Sequence, residues 1–340
     1  VRTDAPFVIR GWDHERRAIH YQVTTTWQWG SLSPPSGRGS SGLLSLAALD
    51  YWQDAFPKDG GGVDWLAASD WVITTATDAP IYRPENRRGR GVWVDDARAV
   101  WHLGDRQLVD GQPVALTDFA SAETYDLGAA LRVDELGPQL TDEQGAAVLD
   151  ALQAIGWEEP CAHVLLLGWI TCANVGGALE IRPGGQIRAS HGKGKTTAIK
   201  RGVLPLLGGF VELLENVSEA AVRQLAKGDV LPVVIDESEQ GDNHGVIRAG
   251  HLRLLRHSYN GNRNARGTTH GQALAYATRY SVLLAGINAT IPELADRSRV
   301  AVFTRRHLST EEWAAAMAKV GEAITPAIGQ ALIRRTLAHL

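Results

Sequence analysis

Cysteine is scarce in this chain, and so are long apolar runs. Only 2 cysteines occur among 340 residues, without a pair of histidines nearby, so neither a disulfide framework nor a zinc site is predicted. The most apolar stretch, 163–179, contains polar residues and glycines, and it is shorter than the roughly 20 residues that cross a bilayer. We interpret it as a buried helix. We therefore expect a cytoplasmic protein that makes no contact with a membrane.

A large excess of positive charge is also missing. The formal net charge is -4, which excludes a surface that binds nucleic acid uniformly. The charge is distributed unevenly, however: residues 248–306 contain ten arginines, no lysine and only two acids, Glu293 and Asp296. Because phosphate contacts require local rather than net positive charge, this segment is a candidate for binding nucleic acid.

Glycine is abundant, and one glycine-containing segment has the spacing of a phosphate-binding loop. Its members are Ala189, Ser190, His191, Gly192, Lys193, Gly194, Lys195, Thr196 and Thr197. In such a loop, amide groups point inward at the start of a helix, the lysine neutralises β- and γ-phosphate charge, and the hydroxyl after it ligates Mg²⁺. The segment therefore predicts ATP as the ligand and Mg²⁺ as the cofactor.

Two features depart from the usual pattern of such loops. Its first place is Ala189 rather than glycine, and the preceding strand, 186–188, is unusually polar. A glycine-rich turn that matches by chance is the alternative that the loop alone leaves open.

An apolar run about forty residues further on ends in two carboxylates. Residues 231–235 predict a buried parallel strand, and Asp236 and Glu237 follow at its carboxyl end. Such a strand is common by itself, but after a phosphate loop it is the expected partner. Asp236 would anchor the metal, and Glu237 would orient the attacking water.

Two more segments supply candidate catalytic residues. The strand predicted at 281–287 delivers Asn288 to the same sheet edge, where an amide can hold the lytic water or the γ-phosphate. Arg297 and Arg299 precede a further strand, a position that suits arginine fingers reaching the nucleotide of a neighbouring subunit. Taken singly, Asn288 is compatible with a turn residue and the arginines with surface charges. Their common order and spacing favour the catalytic interpretation.

In this order, the motifs resemble those of the AAA+ helicases of superfamily 3. The chain is more closely similar to the helicase-like ATPase part of phage- and plasmid-encoded primase-helicase proteins, over roughly residues 80–308. The resemblance implies an ATP-hydrolysing DNA helicase or translocase that acts as an oligomeric ring, a hexamer, on single-stranded DNA. Because the chain begins with Val1 and has one methionine, Met317, we expect a fragment of a longer protein, with a primase or another module upstream.

The resemblance also suggests where DNA is held. In those helicases, a loop between the acidic strand and the asparagine strand lines a central pore and grips single-stranded DNA. Here residues 259–272 occupy that place and have the composition of a hairpin. Arg263, Arg266 and His270 are the candidate DNA contacts. A solvated basic loop, or arginines that face a nucleotide across an interface, are the alternatives.

The expected architecture is an α/β P-loop NTPase sheet of AAA+ type with flanking helices. It is preceded by a small mixed α+β domain, 1–140, which contains a flexible Gly/Ser/Pro stretch at 30–42. The ATPase domain spans 141–308, and a helical tail spans 309–340. Ten of the eleven tryptophans lie before residue 170, where core packing is a simpler role than stacking on bases.

Two other functions remain compatible with the motifs. An AAA+ switch or helicase loader would hydrolyse ATP and remodel a protein partner, and the basic segment at 248–306 disfavours it. A P-loop kinase would transfer phosphate to a small acceptor. The paired acids Asp236 and Glu237 disfavour this second function, because a kinase must exclude water rather than activate it.

Overall fold

A computed structural model describes residues 5–13, 17–35, 42–79, 82, 86–119, 121–240, 243–261, 263–267, 273–287 and 289–340. The chain divides into two compact units. One is formed mainly by residues up to Arg87, and the other comprises Arg88–Glu123, Gly128–Arg266 and Ala273–Leu340.

The first unit is a small antiparallel sheet with two helices. Its elements are β1 (Phe7–Asp13), β2 (Ala18–Val23), β3 (Trp29–Leu32), α1 (Leu49–Ala55) and α2 (Trp65–Asp78). The strands pair in the order β1-β2-β3. Trp52 is fully buried at the centre of this unit, and its indole N–H donates to the carbonyls of Leu43 and Ala47. This tryptophan is therefore a core residue.

The second unit begins with a four-stranded meander. The short strand β4 (Arg87–Arg88) precedes it at the boundary between the two units. The meander consists of β5 (Gly91–Asp95), β6 (Arg98–His102), β7 (Arg106–Val109) and β8 (Gln112–Ala115). The short strand β9 (Thr124–Tyr125) follows in the chain and belongs to the first unit. Strands β5 to β8 pair antiparallel in sequence order. The chain reverses at Asp96 and at Asp110, both with a positive φ, the conformation that tight hairpin turns favour.

The larger part of this unit alternates helices and strands. The elements up to the acidic strand are α3 (Asp142–Ala154), α4 (Ala162–Asn174), β10 (Gly184–Ala189), α5 (Lys195–Ala198), β11 (Leu213–Leu214), α6 (Glu219–Ala226) and β12 (Val233–Ile235). The remaining elements are β13 (Glu239–Gln240), β14 (Asn243–Ile247), α7 (Ala249–Asn260), β15 (Arg263–Gly267), β16 (Ala273–Ala277), β17 (Val282–Ile287), α8 (Leu294–Arg297), β18 (Val300–Thr304), α9 (Thr310–Ala323) and α10 (Pro326–Leu337).

A five-stranded parallel sheet organises this part, in the order β11-β12-β17-β10-β18. Its three central strands, β12, β17 and β10, are buried on both faces, and alternate residues enter two different cores. Val234 and Leu283 pack with the side of the sheet that carries α3, α4, α9 and α10. Ile235 and Leu284 pack with α6 and α7 on the other side. The apolar runs predicted as buried parallel strands are confirmed.

Helix ends follow the side-chain caps in the sequence. Thr141 caps α3 in a reciprocal capping box with Gln144, and Ser309 caps α9 in the same way with Glu312.

Helix α4 is buried on one face only. Val164 and Leu165 on its other face are 51% and 52% exposed, so the prediction of a buried helix holds for half of its surface. Among the helices in the described ranges, none is long and apolar enough to cross a membrane.

Candidate functional site

All nine residues of the predicted phosphate loop lie between β10 and the first turn of α5. The loop leaves the sheet at Ala189, and Gly194 is the N-cap of α5. Gly192 and Gly194 both have φ of 73°, a left-handed conformation that glycine adopts without steric cost. The N–H of Lys193 donates to the carbonyl of Ser190 and tightens the turn. The loop therefore has a sharply bent backbone that leads directly into a helix.

The polar character of β10 has a structural reason. Gln186 is fully buried, and its side-chain amide donates to the carbonyl of Ala289 over 2.9 Å. Its carbonyl oxygen accepts from the guanidinium of Arg188. The buried carboxamide thus joins the strand before the loop to the chain that follows β17.

The acidic strand meets the loop at Asp236. The carboxylate of Asp236 is 2.5 Å from the Lys195 ammonium and accepts a hydrogen bond of 2.6 Å from the Thr196 hydroxyl. Both contacts join residues about forty positions apart, and Asp236 is only 3% exposed. The structure therefore brings together the three side chains to which the sequence assigned phosphate and metal binding.

The charge state of Asp236 follows from these contacts. Burial by itself would raise the pKa of this carboxyl, but hydrogen bonds from Lys195 and Thr196, the Lys195 charge and the Glu237 amide outweigh it. The pKa of Asp236 is consequently below its ordinary value. Asp236 is thus a carboxylate at neutral pH, which is the form that can hold a metal ion.

Glu237 differs from its neighbour in exposure and backbone. Its side chain is exposed, and its φ of 51° is in the left-handed region, which non-glycine residues seldom adopt. The side-chain amide of Asn216, another residue with positive φ, lies 3.4 Å from its carboxylate. Such backbone strain is concentrated at functional sites. The turn directs Glu237 away from the core that encloses Asp236.

Asn288 lies outside the described residues, but the strand that leads to it is placed. Ile287, the last residue of β17, pairs with Ala189, the last residue of β10. The carboxyl end of β17 is therefore level with the start of the phosphate loop. This strand lies between β10 and β12 in the sheet.

Arg297 and Arg299 are not brought to the loop of their own chain. The carbonyl of Arg299 accepts from the N–H of Gly184, at the amino end of β10, whereas the loop begins at its carboxyl end. The two ends of β10 are five residues, or roughly 16 Å, apart. The Arg297 guanidinium donates to the carbonyls of Ile291 and Pro292. The backbone of Arg299 therefore lies far from the loop of its own chain, whereas the Arg297 side chain is held by the segment that follows β17.

Strands β15 and β16 form a two-stranded sheet in this part of the chain. Of the predicted hairpin, 259–272, only β15 is a strand in the described residues; α7 extends to Asn260, and β16 lies just beyond the predicted range. Arg263 and Arg266 lie on β15, while His270 lies outside the described residues.

Several arginines of the basic segment have internal partners. Arg253 pairs with Glu219, Arg256 makes a bidentate pair with Asp296, and Arg248 donates to the carbonyl of Glu239. Glu219 comes from α6, outside the segment in which the charges were counted. The basic character of 248–306 is therefore partly neutralised by the fold.

Two buried charged residues near the site were not predicted from the sequence. Glu239 is 6% exposed, and one of its oxygens lies 3.4 Å from the Ile287 amide at the end of β17. A Cβ on Gly286 would lie 2.7 Å from the other oxygen, so a larger residue there would displace the Glu239 carboxylate. Arg305 is 5% exposed and lies beside Gly194 of the loop. Their sequence signals are weak, because each stands beside other charges in the chain.

No protein-family model matches the chain, and no curated protein sequence is similar to it. Solved helicases are among its structural neighbours. The JCV helicase aligns over 56% of this chain and 53% of its own, with 14% identity and a TM-score of 0.34. The SCCmec type IV Cch active helicase aligns over 93% and 58%, with 12% identity and a TM-score of 0.38. The C-terminal region of NrS-1 aligns over 98% and 68%, with 10% identity and a TM-score of 0.38.

This chain thus spans little more than half of the first two neighbours, 53% and 58%. The function of this chain must therefore be inferred from the residues of the site itself.

Proposed function

We propose that this chain is the ATP-hydrolysing motor of a DNA helicase or translocase of AAA+ type, of the kind encoded by phages and plasmids for replication. The observation that carries this proposal is the contact of Lys195 and Thr196 with Asp236, at 2.5 and 2.6 Å. A bent glycine loop, a lysine, a hydroxyl and an ionised carboxylate meet at one edge of a parallel sheet. This combination suits the binding of a nucleoside triphosphate.

The donor atoms at this edge fit Mg²⁺. Within the described ranges, no group of three or more His, Cys, Asp or Glu residues could hold a metal by itself. Mg²⁺, however, usually takes one or two protein oxygens and completes its shell with water and substrate phosphates. The Thr196 hydroxyl and the Asp236 carboxylate are two such oxygens. When bound there, Mg²⁺ would supply charge neutralisation to the phosphate oxygens of ATP.

The side chains around this point have separate tasks in hydrolysis. Lys195 and the loop amides would neutralise and orient the β- and γ-phosphates. Glu237, exposed and held apart from the buried Asp236, would accept a hydrogen bond from water and direct it at the γ-phosphorus in line with the leaving oxygen. Asn288, which follows β17 in the chain, would sense the γ-phosphate.

A ring assembly would complete the site. Arg299 lies at the amino ends of the strands, away from the loop of its own chain, which supports action of Arg297 and Arg299 on the nucleotide of a neighbour. We propose a hexamer in which they do so, with the β15 and β16 hairpins of all subunits gripping one DNA strand through Arg263, Arg266 and His270. A primase module upstream would fit the same assembly.

The helicase-loader alternative retains one supporting observation. Arg248, Arg253 and Arg256 have partners within the fold, which leaves less free positive charge for DNA than the sequence suggested. The two functions are separated by measuring ATP turnover with and without single-stranded DNA on a sample whose mass in solution is known. The helicase predicts a DNA-stimulated oligomer. Turnover that DNA leaves unchanged would favour the loader.

A further inference from the structure

Arg305 is held by its backbone directly beside the phosphate loop. It follows the last residue of β18, and its N–H donates to the carbonyl of Arg188, one residue before the loop begins. On its other side it forms an isolated bridge with Trp157. The start of the Arg305 side chain is therefore fixed on both sides.

The guanidinium lies between the loop and α9. Its carbon is 4.2 Å from the centre of the Trp313 ring. A Cβ on Gly194 would lie 3.0 Å from Nη1 of Arg305 and 2.9 Å from the Trp313 ring. Gly194 is thus in contact with both side chains, immediately before Lys195 in the chain. The left-handed backbone of Gly194 and the space around it both require glycine.

The charge of Arg305 has no counterpart within the described part of the chain. The residue is 5% exposed, and its Nε and Nη1 atoms are buried without a hydrogen-bond acceptor among those residues. Burial lowers the pKa of Arg305 to about 10, so the group remains protonated at neutral pH. A buried charge without a partner destabilises a fold, and an anion that reaches it would be bound strongly.

We propose that Arg305 binds a phosphate group of the nucleotide from within the same chain, as a second cation beside Lys195, with Trp313 holding its guanidinium in place. This inference rests on the proposed function, because it assumes that the loop binds a nucleotide. It differs from the role proposed for Arg297 and Arg299, which act between subunits. A purely structural role, in which Arg305 only packs on Trp313, is the competing explanation.

The test compares Arg305→Met with Arg306→Met, which changes the exposed neighbouring arginine in the same way. Dissociation constants for ATP, ADP and adenosine are measured by titration calorimetry. For Arg305→Met we expect the ATP and ADP constants to rise by about ten- to a hundredfold, the usual effect of losing a hydrogen bond to a charged group. Adenosine, which has no phosphate, should bind unchanged. Arg306→Met should match the wild type.

Thermal unfolding without nucleotide distinguishes binding from packing. If Arg305 serves a phosphate, removing its unpaired charge should raise the unfolding midpoint of the ligand-free protein while weakening ATP binding. Arg305→Gln provides a second neutral variant should Arg305→Met not fold. A lowered midpoint together with wild-type ATP and ADP affinity would overturn the proposal and assign Arg305 to packing.

Lys195→Ala separates this inference from the proposed function. Loss of ATP binding in Lys195→Ala but not in Arg305→Met would reject the role of Arg305 and leave the phosphate loop intact. A wild-type protein that does not bind ATP, or a Lys195→Ala variant that binds it as well as the wild type, would reject the proposed function and this inference with it.

Discussion

Replacing Lys195 by alanine should impair both stability and nucleotide binding. The Lys195 and Asp236 side chains are 10% and 4% exposed, so their ion pair is largely buried. Breaking a buried pair from one side typically costs about 3–5 kcal/mol, because the remaining charge is left without compensation. Here the Thr196 hydroxyl and the Glu237 amide still bond to Asp236, so we expect roughly 3 kcal/mol.

The free energy of unfolding, measured by urea denaturation, checks this value. A Lys195→Ala/Asp236→Asn double variant should recover much of the loss, since it removes the charges on both sides. A Lys195→Ala variant as stable as the wild type would contradict the contact between the phosphate loop and the acidic strand.

Glu237→Gln is the functional counterpart of the same experiment. Glu237 is exposed, so its substitution should leave stability nearly unchanged. Calorimetric titration should find that Lys195→Ala no longer binds ATP, whereas Glu237→Gln binds it but does not hydrolyse it, because Glu237 acts in the transition state. Equal loss of ATP affinity in both variants would refute the roles assigned to the acidic strand.

Three further predictions concern assembly, DNA and pH. Mixing an Arg297→Ala variant with Lys195→Ala should restore some ATP turnover; no recovery while subunits demonstrably exchange would exclude action between subunits. Changing both Arg263 and Arg266 to alanine should lower the salt slope of single-stranded DNA binding by roughly 0.7 per lost contact. Basal turnover should be retained, and unchanged DNA affinity and salt slope would reject the hairpin grip.

The pH prediction concerns His251. Burial lowers the pKa of this side chain, so the folded protein favours the neutral ring. Its contribution to stability should be complete above the unfolded pKa of about 6.5 and decline below it, by at most ~1.4 kcal/mol per pH unit. Urea denaturation of the wild type and of His251→Asn across this pH range measures the contribution of His251. If the free energy of unfolding changes equally with pH in both proteins, the prediction is wrong.

The elements that could be predicted are those with a local signal. Buried parallel strands need apolar residues on both faces, so the runs before Asp236 and Asn288 were recognisable. The cap at Thr141 and the reversals at Asp96 and Asp110 depend on residues within a few positions of each other. The turn between β10 and α5 combines glycine conformation with a lysine and a hydroxyl at fixed spacing. Its place between a strand and a helix could therefore be predicted from the sequence.

The features that could not be predicted depend on contacts between distant residues. The polar residues of β10 depart from the usual pattern because Gln186 bonds with Ala289, about a hundred positions later in the chain. The partner of Arg253, Glu219, lies 34 residues away and outside the segment 248–306, so counting charge within that segment overestimated its free positive charge. The sequence does not distinguish Arg305 from Arg306 as the buried arginine. The burial of Arg305 depends on Trp313 of α9, which packs beside the loop.

The most direct test of the central claim is the release of inorganic phosphate from ATP in the presence of Mg²⁺. Wild-type protein, Lys195→Ala and Glu237→Gln would be compared at equal concentration after identical purification. We predict turnover by the wild type and background rates for both variants. Equal rates in all three preparations, or no release by the wild type with and without single-stranded DNA, would contradict the assignment of an ATP-hydrolysing site to this loop and acidic strand.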